Sequence, residues 1–119
     1  MNEQQIEERV DVLVRQHMER INQRMIEYNI PYHMHAGVQR YVEHGLPPGG
    51  FMTAVLCNDL VGAAVRADGE NQHYLCEWGR FIIHGLPALA HGSKDVVDGW
   101  SALGGLRGLL REKVACDEV

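Results

Sequence analysis

Residues 2–29 read NEQQIEERVDVLVRQHMERINQRMIEYN, and within them Val10, Val14, His17, Ile21, Met25 and Tyr28 recur at steps of four and three. That spacing places the six side chains on one stripe of an α-helix. The other faces are polar, with Glu3, Glu7, Glu8 and Asp11 early and Arg15, Arg20 and Arg24 late, the order that complements a helix dipole. At 1.5 Å per residue such a helix is about 40 Å long, longer than a domain of this size is wide. Its stripe has two possible destinations. One is a coiled-coil-like homo-oligomer, with a dimer favoured, in which Val10, Val14, His17, Ile21, Met25 and Tyr28 form the interface; the other is the chain's own core.

Working outward, Asn29-Ile30-Pro31 stops this helix, because the residue before proline is pushed out of the α region. A shorter helix is expected from about His33 to His44, with Met34, Val38, Tyr41 and Val42 on its apolar face. Gly45 takes the left-handed cap there, Leu46 supplies a hydrophobic contact, and Pro47 forbids continuation. Pro47-Pro48-Gly49-Gly50 then leads into Phe51–Ala67, whose Met52, Val55, Leu56, Leu60, Ala63, Ala64 and Val65 leave almost no polar face. A central buried helix is expected. After Asp68-Gly69 a fourth helix spans about Glu70 to His84 and carries Tyr74, Leu75, Trp78, Phe81 and Ile82. Gly85-Leu86-Pro87 is expected to end it as Gly45-Leu46-Pro47 ends the second, since Arg40–Pro47 and Arg80–Pro87 agree at five of eight positions.

Ser93 is a credible N-cap for a fifth helix through Val96, Val97, Trp100 and Leu103, and Gly104-Gly105 breaks or kinks the chain before Leu106–Val114. No segment alternates with period two. The expected fold is an all-α bundle of five or six helices with a long N-terminal amphipathic helix. The expected organisation is that helix at 1–29, a compact helical core at 30–115 and a frayed tail at 116–119.

Composition bounds the rest. With 119 residues the chain has room for one core and not for two, and 45% hydrophobic with 23% charged residues is a globular balance. No apolar run approaches the roughly 20 residues of a membrane helix, and the polar, acidic start is unlike a signal peptide. A net charge of −5 disfavours nucleic acid as a partner. Cys57, Cys76 and Cys116 lack metal or disulfide spacing and read as reduced cytosolic thiols.

Motifs for chemistry are sparse. His33 and His35 would point to different sides of a helix, and His73 with Cys76 would need Cys57 or His44 from elsewhere, so a His/Cys metal-binding protein is the weaker alternative and no metal or cofactor is expected. There is no GxSxG elbow, HExxH helix or phosphate-binding GxxxxGKS/T loop, so no catalytic residue is assigned and the chain is read as non-enzymatic. The anomaly is Asn58-Asp59 inside an apolar stretch, with Arg66 two helical turns on. Gly49, Gly50, Phe51, Asn58, Asp59 and Arg66 are the candidate ligand-binding residues, edging a small polar pocket. Alternatively, Asp59 caps a neighbouring helix or pairs with Arg40, Arg66 or Arg80 as a structural buried ion pair.

The run His44-Gly45-Leu46-Pro47-Pro48-Gly49-Gly50-Phe51-Met52-Thr53-Ala54-Val55-Leu56-Cys57-Asn58-Asp59-Leu60, with Arg66-Ala67-Asp68 and Glu70-Asn71 after it, resembles a group of small uncharacterised proteins of tailed phages and prophages. The resemblance covers roughly residues 30–100 and is most specific from His44 to Asp68. This chain departs from the group in carrying His84–Ser93 where similar proteins have an aromatic-rich N-E-x-P-S-x-C-W-G-S stretch. The resemblance implies a phage-encoded protein acting in the bacterial host cytoplasm, and no activity, cofactor or catalytic residue. The expected function is non-enzymatic binding of a host protein or protein complex, in counter-defence or host take-over. Sequestering a small ligand or nucleotide signal is the alternative.

Overall fold

A computed structural model describes residues 1–117. Helix α1 (Glu3–Glu27) starts at a reciprocal cap: the Asn2 side chain accepts from the Gln5 amide at 2.8 Å, and the Gln5 side chain accepts from the Asn2 amide at 2.9 Å. Two amides that a helix start leaves open are thereby satisfied. Asn29 ends α1 in the left-handed region (φ 57°), and the Ile30 amide donates back to the Met25 carbonyl at 2.9 Å. Asparagine tolerates that conformation. A 3-10 turn at Tyr32–Met34 leads to α2 (His35–His44), followed by α3 (Gly50–Leu56), α4 (Leu60–Arg66), α5 (Gly69–His73) and α6 (Leu75–Gly85). A second 3-10 turn at Ala88–Ala90 precedes α7 (Lys94–Leu103) and α8 (Gly105–Cys116).

The protein is therefore an all-α bundle with a long N-terminal helix, and the described residues contain no strand. The described residues form eight α-helices rather than five or six because the expected third and fourth helices each divide. The first division falls at Asn58, which is left-handed (φ 63°) while the Asp59 amide donates to the Ala54 carbonyl at 2.8 Å. Asp59 then restarts the helix as N-cap of α4, accepting from the Gly62 amide at 2.9 Å. The second division falls at Tyr74 (φ −104°, ψ 23°), after α5 has been capped by Asp68 accepting from the Asn71 amide at 2.7 Å. α8 runs through Cys116, into the expected tail, and residues 118–119 lie outside the described residues.

The α1 stripe goes into the chain's own core. Val10, Val14, Met18, Ile21 and Met25 are buried, in one cluster with residues of α2, α3, α6, α7 and α8. The stripe passes through Met18 rather than His17, which is half-buried beside it, as is Tyr28. α8 lies antiparallel on the N-terminal half of α1, tied by Arg111 to Glu7 and by Arg107 to Asp11, and Arg107 also holds Glu43 of α2 at 2.8 Å. The molecule still measures 49 Å along its longest axis. Coverage by α8, α2 and α6 leaves Val10, Val14, Ile21 and Met25 too little surface, 5% or less each, for an oligomer seam.

The two helix ends that look alike in sequence are built differently. Gly45 is left-handed (φ 72°) and abuts the backbone of Gly105, while Leu46 stays half-exposed, so the hydrophobic contact expected of it is weak. Gly85 remains helical; a Cβ there would press on the Phe81 ring at 2.8 Å.

Two half-buried histidines set an acid limit on stability. Burial lowers His17 below its usual 6.5, with Arg20 and Lys113 adding to the effect, and burial lowers His91 in the same direction. The folded state thus resists protons that the unfolded chain binds, so this contribution is complete above pH 6.5 and is lost as pH falls through the lower folded values. The urea midpoint is expected to drop between pH 7.5 and pH 5.5, and the drop should shrink in His17→Gln/His91→Gln. An unchanged drop in the double variant would place the titration elsewhere.

Candidate docking surface and pocket on helix α4

α4 has two unlike sides, and both follow from the turn at Asn58. Gly62 and Ala63 face the body and are buried. A Cβ on Gly62 would overlap the Asp59 carboxylate and stand 3.0 Å from Arg66 Nη1, so the two charged side chains close over a bare backbone. The Arg66 stem also crosses Gly50, whose Cβ position is 3.2 Å from Arg66 Cδ. Gly50, Asp59 and Arg66 thus come together around an open cavity of about 530 Å³ that Thr53, Cys57 and Lys94 also line. Lys94 had no signal in sequence, because it arrives from the start of α7.

The other candidate residues go elsewhere. The ideal Cβ of Gly49 meets nothing within 4 Å, Phe51 is buried edge-on to Trp78, and Asn58 forms the turn and borders a groove that Gly50 and Arg66 do not line. Asp59 is not a buried carboxylate but an exposed cap.

Each charged group in the cavity is engaged within its own helix. Asp59 holds the Gly62 amide, Arg66 donates to the Gly62 carbonyl at 3.2 Å, and Lys94 pairs with Asp98 at 2.7 Å. Burial, with Asp98 reinforcing it, pushes the Cys57 thiol up from its usual value and keeps it protonated at neutral pH, the opposite of an activated nucleophile. These side chains fit capping and helix pairing. Among the described residues no three His, Cys, Asp or Glu side chains are placed to hold a metal ion, and no helix is long and apolar enough to cross a membrane.

The outward side of α4 corrects the expectation of a buried third helix. Leu60, Val61 and Val65 are 71%, 73% and 76% exposed, with Ala64 exposed between them. This ridge carries no charge. Beside it runs a groove lined by Val55, Leu60, Ala63, Leu75 and Gly79, which continues past Gly79 over Ile82, Ile83 and His91. The sequence signal was present in Leu60-Val61 and Ala64-Val65, but apolar residues alone do not say whether they face core or solvent. Comparison of the chain with protein-family models, curated proteins and solved structures found no match.

Proposed function

We propose that this protein is a non-enzymatic interaction module that docks a protein partner through the outward face of α4. The observation that carries this reading is the exposure of Leu60, Val61 and Val65 together on one short helix. Exposed apolar side chains gathered into one contiguous patch mark interaction sites, whereas singly scattered ones need no explanation. The adjoining groove supports a helix-in-groove mode, in which a partner's amphipathic helix lays its apolar face against Leu60 and over Gly79. The stretch that resembles tailed-phage proteins, His44–Asp68, is the one that builds α3 and α4, and a component of the host cell is the partner this resemblance favours.

The experiment is quantitative capture from host lysate by the wild type and by Val61→Glu/Val65→Glu, with light scattering of both proteins at tens of micromolar. The charges are expected to abolish capture of a partner that the wild type enriches, while the thermal midpoint stays within about 2 °C because both sites are exposed. Equal capture by the two proteins would remove α4 as the docking face. A wild-type dimer that becomes monomeric in the variant would assign the ridge to a second copy of this chain instead.

A further inference from the structure

The middle of α1 and the end of α6 border an open cavity of about 330 Å³ lined by His17, Arg20, Arg24 and His84 beside Ile21, Leu86 and Pro87. No carboxylate lines it. In a chain of net charge −5 this is a concentration of positive groups against the overall sign. We propose that this cavity binds a small phosphorylated molecule, with Arg20 and Arg24 holding the phosphoryl oxygens and the apolar wall receiving the organic body.

The donors are already oriented. Arg20 Nη2 lies 2.9 Å from His17 Nδ1. A guanidinium only donates, so Nδ1 accepts, and the neutral His17 ring carries its hydrogen on Nε2, free for an oxyanion. Arg24 spends Nη1 on Glu27 at 2.9 Å, leaving its other guanidinium hydrogens. His84 is held by stacking on Tyr28, with the ring centroids 6.3 Å apart. Lys113 of α8 adds its charge to the field at His17, and that field together with burial lowers His17. Glu27 is the acidic group that pairs with Arg24, and the carbonyl end of α6 adds a partial negative charge nearby. An arginine fork suits phosphoryl oxygens because it binds two of them at once. The volume is near the lower end for small-molecule sites and fits a pyrophosphate or a nucleoside monophosphate rather than a large cofactor.

The site shares no lining residue with the α4 ridge, its groove or the Arg66 cavity, and does not depend on the docking reading. Its test is calorimetric titration of the full chain with inorganic pyrophosphate and with adenosine monophosphate, at low salt and pH 6.5. The comparison is among the wild type, Arg20→Gln, Arg24→Gln and the control Arg66→Gln. Saturable binding is expected that weakens roughly tenfold in Arg20→Gln and in Arg24→Gln, and not in Arg66→Gln. Arg20 and Arg24 are exposed, so both variants should keep the wild-type thermal midpoint. The ring resonances of His17, lowered by burial in the free protein, should titrate at higher pH when the anion is bound, as followed by NMR through a pH titration. Tighter binding of the nucleotide than of pyrophosphate would identify the apolar wall as a base or sugar subsite, and the reverse would identify a free phosphate ligand. Absence of saturable binding by the wild type, or equal losses in Arg20→Gln and Arg66→Gln, would overturn the proposal. So would an unshifted His17 titration, which would leave Arg20 and Arg24 as surface cations held by His17 and Glu27 alone.

Discussion

Gly105→Ala is expected to destabilise the protein by about 3–5 kcal/mol, lowering the thermal midpoint by more than about 10 °C. Two costs combine. Gly105 is left-handed (φ 66°), a conformation that disfavours any Cβ, and a Cβ there would overlap the Gly45 amide and stand 2.8 Å from the Val42 carbonyl. Gly45 has the reciprocal problem, since its own Cβ would lie 2.8 Å from the Gly105 nitrogen. The end of α2 and the α7–α8 corner therefore meet backbone to backbone, and no side chain can yield to relieve the clash. Gly99→Ala is the internal control, because a Cβ there meets nothing within 4 Å and α7 should gain about 0.5–1 kcal/mol. Thermal melts of the two variants check both signs, and a Gly105→Ala midpoint equal to that of the wild type would mean the corner relaxes freely.

The second large effect is expected at Trp100, which is buried and donates from Nε1 to the Tyr41 carbonyl at 3.0 Å. Trp100→Ala removes the largest α7 side chain from the core and should cost about 3–5 kcal/mol in a urea titration. Trp100→Phe should cost considerably less. It keeps most of the ring volume, and the Tyr41 carbonyl still accepts from the Gly45 amide at 2.8 Å, so no buried acceptor is orphaned. Equal losses in the two variants would show that the hydrogen bond, and not the packing, joins α7 to α2. Tyr41 extends this link by donating from its hydroxyl to the Ala90 carbonyl at 2.7 Å, and its burial holds the hydroxyl un-ionised.

Local chemistry was legible in the sequence and non-local geometry was not. Gly45 and Ser93 end or begin helices where their residue types predict, and α1 stops where Asn29-Ile30-Pro31 predicts, because capping and proline act through a few neighbouring backbone groups. Asn58-Asp59 used the same vocabulary, a left-handed asparagine followed by a capping aspartate, yet it read as a polar fault inside one helix because apolar residues flank it on both sides. The candidate pocket was half legible. Asp59 and Arg66, at the two ends of α4, both close over Gly62, whereas Lys94 reaches the cavity from α7, thirty-five residues past Asp59.

The basic cavity between α1 and α6 shows the same boundary. Arg20 and Arg24 are one turn apart and legible as neighbours, but His84 joins them through packing alone. By itself the sequence determined the helical class, the length and amphipathic character of α1, and several of the helix ends, since periodicity and capping are short-range properties of the chain. Tertiary structure decided where each apolar face went. The α1 stripe was covered by α8, α2 and α6 and became core, while the ridge of α4 was turned outward by one left-handed residue and became surface. Hydrophobic burial has no direction along the chain, so the same residue types satisfy it in either place, and only the arrangement of the other helices settles which face remains for a partner.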